Sequence, residues 1–213
     1  VLLALGPKGG KSTTAAGLIA NASRGGVRCA LLSLDEALAD SLQRLVRFDA
    51  DPARVYLDDV FDPATLGEEL AMLGVRLFVV DHLGKLAERS PDFGANSQGD
   101  AVLWGRLVAP FSALARDQNL AVVLIDQARR SDGDWAGSVG KGGNVDVLAV
   151  LQPKDGGLVC TPRGRVRLPP FRVEDGEDVI EGDCELVVCG KDGSVNMIEM
   201  GGKEISEDQV MDG

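Results

Sequence analysis

The chain has 213 residues, 45% of them hydrophobic, and a net charge of −11, which is enough apolar material for one sizeable core and a single domain. No apolar run approaches the roughly 20 residues of a membrane-spanning helix, and Val1–Leu5 is too short for the core of a signal peptide. The four cysteines, Cys29, Cys160, Cys184 and Cys189, show neither C-x-x-C spacing nor histidine partners, His82 being the sole histidine, so a zinc site or disulfide framework is disfavoured and a soluble, cytoplasmic protein is expected.

The chain starts without Met, directly on an apolar segment, as a piece of a longer polypeptide would. Val1–Leu5 suits a buried parallel strand. It runs into Leu5-Gly6-Pro7-Lys8-Gly9-Gly10-Lys11-Ser12-Thr13. The small and apolar residues that follow predict a helix from about Gly10 to Ser23, stopped by Arg24-Gly25-Gly26. A strand, a glycine turn and a helix N-terminus aim backbone N–H groups and the positive end of the helix dipole at one volume, which suits a polyphosphate. Lys11 would reach the β/γ-phosphates and Ser12 would offer its hydroxyl to Mg²⁺, with Gly6, Pro7, Lys8, Gly9, Gly10 and Thr13 as the rest of the cradle. The pattern departs from G-x-x-x-x-G-K-[ST] in placing Leu5 where the first glycine belongs, Gly6 coming one residue late. ATP is preferred to GTP because no guanine-reading N-K-x-D occurs.

Val27–Leu34 reads as a second apolar strand, ending in Ser33-Leu34-Asp35-Glu36. In a parallel sheet ligands gather at such carboxyl ends. Asp35 or Glu36 would there orient or deprotonate the attacking water; the competing reading is that one of them caps a helix from about Ala37 to Phe48. Arg54–Val60 reads as a short strand and Pro63–Leu73 as a helix with proline near its first turn. Arg76–Asp81 is an apolar strand ending in an acid, and Asp81 would hold Mg²⁺ through water. His82 is expected to pack or face solvent. Lys85–Asp100 is rich in Gly, Ser, Asn, Asp and Pro and reads as a loop.

Ala101–Gln118 carries Leu103, Leu107, Phe111 and Leu114 at helical spacing, with Trp104 in the core. Ala121–Ile125 is another apolar strand, followed by Asp126-Gln127 and the basic pair Arg129 and Arg130. Ser131–Asn144 holds five glycines, Trp135 and Lys141, and loops of this length in compact domains are usually functional or disordered. Val145–Leu151, Leu158–Thr161 and Val166–Val173 read as strands, and Cys184–Cys189 with Val195–Met200 as a hairpin. From Glu174 onward 13 acidic residues face only Lys191 and Lys203, a balance of 2 − 13 = −11, so the first 173 residues are neutral. The low isoelectric point therefore belongs to the tail and does not exclude a polyanion partner for the core.

The order of phosphate loop, Ser33-Leu34-Asp35-Glu36, Val79-Val80-Asp81-His82-Leu83, Val123-Leu124-Ile125-Asp126-Gln127 and Gly137-Ser138 before Val145-Asp146-Val147-Leu148 resembles the RecA-like ATPases. Within them it is most similar to hexameric replicative helicases of the DnaB and plasmid RepA type. The resemblance spans residues 1 to 173. It implies an α/β fold, a mostly parallel twisted sheet flanked by helices, with 174–213 as an acidic C-terminal hairpin and tail. It further implies ATP and Mg²⁺ as cofactors, a homo-oligomeric, hexameric ring, and single-stranded DNA as partner. By that resemblance Lys11 and Ser12 bind phosphate and Mg²⁺, Asp35 stands where the family keeps a catalytic glutamate, Asp81 assists Mg²⁺, and Gln127 is a polar sensor. Ala128–Asn144 would be the DNA-facing loop, and Arg163 and Arg165 look like arginine fingers for a neighbouring subunit. Two alternatives remain: a ParA/MinD-like partition ATPase, whose K-G-G-x-G-K-[ST]-T loop resembles Lys8–Thr14 with two residues missing, and a RecA-fold ATP-binding regulator without motor activity.

Overall fold

The computed structural model describes residues 1–5, 10–94, 100–127, 143–154, 157–164, 171–174, 185–189 and 195–199. Aliphatic and β-branched runs, each bounded by turn residues, form the strands. β1 (Leu2–Leu5), β2 (Cys29–Ser33), β3 (Val55–Asp58), β4 (Leu77–Asp81), β5 (Ala121–Gln127) and β6 (Val147–Lys154) lie parallel. β7 (Gly157–Gly164) and β8 (Phe171–Glu174) continue the sheet antiparallel. The spatial order is β3-β2-β4-β5-β1-β6-β7-β8. β9 (Glu185–Cys189) and β10 (Val195–Glu199) form an antiparallel pair, as the hairpin reading expects.

Five helices join the strands: α1 (Lys11–Arg24), α2 (Leu38–Arg47), α3 (Leu66–Met72), α4 (Leu83–Arg89) and α5 (Ala101–Asp117). Every residue of β1, β2 and β4 is buried, so successive side chains feed cores on opposite faces of the sheet. On one face Leu3, Leu5, Leu31, Val79, Val123 and Ile125 pack with Ala15, Ala16 and Ile19 of α1 and Leu45 of α2. On the other, Leu2, Leu32, Phe78, Val80 and Leu124 pack with Leu70, Leu86, Trp104, Val108 and Phe111 from α3, α4 and α5. Phe78 and Phe111 meet at 6.3 Å between ring centroids, and Phe93 packs edge-on against Trp104 at 4.9 Å. Truncating a ring of this kind costs about 3–5 kcal/mol.

The glycine stop after α1 forms as expected: the Gly25 amide donates to Asn21, and Gly26 adopts φ 88°. Two expectations are corrected. Lys85–Asp100 is not wholly loop, because Leu83–Arg89 is helical. Its seven residues are too few to show a period, yet Leu83, Leu86 and Ala87 all bury on the same core, and His82 caps the first turn. Nor does Asp35 or Glu36 cap α2; the cap position is Ala37, without a side-chain bond. No helix among the described residues is long and apolar enough to cross a membrane.

Candidate nucleotide-binding and active site

Strand register brings the sequence motifs to one edge. Leu5 pairs with Gln127, and Ser33 pairs with Asp81, so the carboxyl ends of β1, β5, β2 and β4 finish side by side. The Leu34 amide donates to the Asp81 carbonyl at 2.6 Å. Arg89 then reaches back from the end of α4 to the carbonyls of Asp59, at 2.7 Å, and Leu34, at 3.4 Å. His82 follows Asp81 through a cis peptide and accepts the Lys85 amide on Nδ1 at 3.1 Å. It is buried, as one of the two readings for it required.

Polar burial is concentrated at this edge. Among the described residues Ser33, Ser41, Asp81, His82 and Asp126 are buried here, and Ser23 is the one buried polar side chain elsewhere. Buried polar groups cost free energy unless satisfied, so their clustering at strand ends makes this edge the candidate site. Asp81 carries the strongest signal. Its side chain is hydrogen-bonded with Ser12, while its Oδ1 is buried with no hydrogen-bond partner among the described residues. Burial pushes its carboxyl up from the ordinary range; the Ser12 bond and His82 oppose that, and the charges of Glu36 and Asp35 reinforce it. A carboxylate oxygen left without a donor, beside a serine hydroxyl, fits a hard cation that takes oxygen ligands.

Above this pair sits the start of α1. Gly10 adopts φ 75° and ψ 28°, a left-handed conformation that glycine takes without strain. Its carbonyl accepts the Thr14 amide at 2.7 Å, closing the first turn. Lys11 and Ser12 occupy that turn, partly exposed, and Thr13 is exposed. The helix N-terminus thus presents unpaired amides and a positive dipole end next to the Ser12–Asp81 pair.

The two candidate acids separate. Asp35 is exposed, whereas Glu36 is half-buried and engaged on α2: its Oε1 accepts the Ser41 hydroxyl at 2.6 Å and forms an ion pair with Arg44. Ser41 in turn touches Ser33, Oγ to Oγ at 2.8 Å. Gln127 ends β5, half-buried, next to Leu5. Arg163 is exposed on β7 opposite Leu148, which pairs with Leu2. It is therefore level with the start of β1 and not with the end of β1 that leads to α1. Gly6, Pro7, Lys8, Gly9, Arg129, Arg130, Lys141 and Arg165 lie outside the described residues.

No family model and no curated protein matches this chain. Solved structures do. A KaiC-like protein from Pyrococcus horikoshii superposes with a TM-score of 0.62 at 16% identity, over 82% of this chain and 84% of that one. A DnaB-like replicative helicase, solved for its interactions with primase, superposes with a TM-score of 0.67 at 14% identity over 83% of this chain. The fold is RecA-like.

The chain spans 55% of the helicase's length. In this RecA-like core, Lys11, Ser12, Asp81, Asp35 and Gln127 lie at one strand edge. Sequence reasoning missed the supporting shell of Ser33, Ser41, Arg44 and Arg89. The one available signal was Ser33, a polar residue ending an otherwise apolar strand.

Proposed function

We propose that this protein is an ATP-hydrolysing RecA-fold motor acting on single-stranded DNA, working as a ring with active sites at subunit interfaces. The observation that carries the nucleotide reading is the Ser12–Asp81 pair, with its unsatisfied buried oxygen, set under the N-terminus of α1. Ser12 and Asp81 would hold Mg²⁺, which when bound neutralises charge developing on the β/γ-phosphate oxygens. The α1 amides and the Lys11 ammonium would bind the phosphates. Asp35 would accept a proton from the attacking water, and Gln127 would contact the γ-phosphate from the adjoining strand end.

DNA binding is assigned to the segment after Gln127, with Arg129, Arg130 and Lys141 on the sugar–phosphate backbone. Arg163 and Arg165 are assigned to the ATP of a neighbouring subunit, a role supported by the distance of Arg163 in register from its own phosphate loop. A RecA-fold regulator without motor activity is the second reading. It is favoured by the near-complete coverage of the KaiC-like protein, 84%, against 55% of the helicase.

The test is the rate of ATP hydrolysis in Mg²⁺ with and without single-stranded DNA. A motor is stimulated by the strand, and its strand affinity falls steeply with salt, each removed charge contact lowering the slope by about 0.7. Hydrolysis indifferent to DNA would favour the regulator, and preference for duplex would favour a partition ATPase.

A further inference from the structure

We propose that the adjacent carboxylates divide the work: Asp35 faces the reacting water, and Glu36 is a positioning residue that Arg44 and Ser41 hold on α2, with its charge neutralised beside an already anionic site. The proposal rests on the ATP-hydrolysis reading above and assigns a role to Glu36 and Arg44 within it.

Proton bookkeeping fixes the direction of the network. A serine hydroxyl has one proton, and that of Ser41 goes to Glu36 Oε1. In the Ser33–Ser41 contact Ser33 must therefore donate. A polar chain thus runs from the end of β2, through two buried hydroxyls, to Glu36 and out to Arg44. The ion pair is shielded, with side-chain exposures of 28% for Arg44 and 19% for Glu36. A carboxylate so placed has one oxygen, Oε1, bonded by both Ser41 and Arg44 of α2, which pins the group to that helix and lowers its readiness to take a proton from water. Asp35, one residue earlier and exposed, carries no such tie to α2.

The physical need for the arrangement is electrostatic. Asp81, Asp35 and Glu36 stand close enough for the two latter charges to act on the first, and an incoming polyphosphate adds more negative charge. Arg44 cancels the one carboxylate that the chemistry does not use. Removing Arg44 while keeping Glu36 leaves a bare charge that opposes the nucleotide. The expected signature is weaker substrate binding with the chemical step nearly intact.

The experiment is steady-state hydrolysis of Mg·ATP by the full chain, with thermal melts run alongside on each variant. Asp35→Asn should lower kcat by at least about 100-fold, the range for loss of a general base. Glu36→Gln, whose amide oxygen still accepts from Ser41 and Arg44, should keep at least about a tenth of the wild-type kcat, short of general-base loss. Arg44→Ala should raise KM about 5- to 10-fold with kcat within about threefold. Arg44→Lys, which keeps the charge, should hold KM near wild type and serves if Arg44→Ala folds poorly. Adding Glu36→Gln to Arg44→Ala should bring KM back, a rescue that a merely structural ion pair would not give. The assignment is overturned if Glu36→Gln loses as much kcat as Asp35→Asn, if Arg44→Ala leaves KM unchanged, or if the double variant is not rescued. Wild-type protein that binds no Mg·ATP would overturn the nucleotide reading itself, and the division of labour with it.

Discussion

The Leu34 amide donates to the Asp81 carbonyl at 2.6 Å, one bond beyond the last β2–β4 register pair, Ser33 with Asp81. That bond carries the sheet's hydrogen bonding one residue past the strand and sets Asp35 at a fixed offset from Asp81. Arg89 secures the same corner through the Leu34 carbonyl. Arg89→Ala should lower stability by about 1 kcal/mol, a charged but exposed hydrogen-bonding group being lost. It should also reduce kcat several-fold, because small misplacements of a catalytic group are costly. Thermal melts and steady-state kinetics on the one variant check both; an unaltered kcat would show that the corner holds without Arg89.

Lys11→Ala removes a point charge from the first turn of α1 and opens no core cavity, since Lys11 is partly exposed. Circular dichroism should be unchanged, while nucleotide binding by calorimetry and turnover are both lost. Near-normal hydrolysis would contradict the phosphate assignment.

Asp81 links activity to stability with opposite signs. Burial raises its carboxyl pKa, so the folded state holds the proton at higher pH than the unfolded chain does. The stability this group contributes is present at low pH and lost as pH rises through its folded value, as the desolvated carboxyl ionises. Asp81→Asn should therefore abolish Mg²⁺-dependent turnover yet stabilise the nucleotide-free protein at pH 7 by about 1 kcal/mol. The gain should shrink as pH is lowered. Denaturant titrations at two pH values would decide it, and a destabilised variant at neutral pH would refute the account.

Gly10 sits at φ 75°, and the nearest atom a Cβ there would meet is Thr13 Cβ, at 3.8 Å. Space is therefore adequate and backbone conformation is the constraint. Gly10→Ala should cost about 1 kcal/mol of strain in the left-handed region and loosen the helix start that presents amides to phosphate. Melting temperature and nucleotide affinity should fall together; an alanine tolerated without change in either would mean the turn is not held as described.

Cys29 is fully buried on β2, and burial lifts its thiol to about 12 from an ordinary 9.0. Folded protein should resist iodoacetamide at this position at pH 8, read by peptide mass mapping, because the thiolate is the reactive form. The unfolded chain loses the proton near 9.0 while the native state keeps it to about 12. Stability from this group is thus complete below pH 9 and falls as pH rises, by up to about 1.4 kcal/mol per unit. Cys29→Ala should flatten the alkaline decline in melting temperature relative to wild type.

Local chemistry decided much of this protein without help from tertiary structure. The runs at Leu2–Leu5, Cys29–Ser33, Leu77–Asp81 and Ala121–Gln127 specify strands because each is a short, largely aliphatic and β-branched stretch too short for a helix of several turns. The glycine-rich sequence before Lys11 points to phosphate by its residue types and spacing alone. Three things depend on folding. α4 has seven residues and draws its stability from Leu83, Leu86 and Ala87 entering a core assembled from distant segments, so no window of sequence reveals it. The order β3-β2-β4-β5-β1-β6-β7-β8 follows from which faces and edges can be covered together. The division of labour proposed for Asp35 and Glu36 is invisible in sequence because the two are adjacent and chemically alike. It turns on Arg44 and Ser41, whose reach to Glu36 exists once α2 has packed through Leu45 beside α1. Spacing along a chain records which groups are available, whereas a charge's surroundings in three dimensions determine what it does.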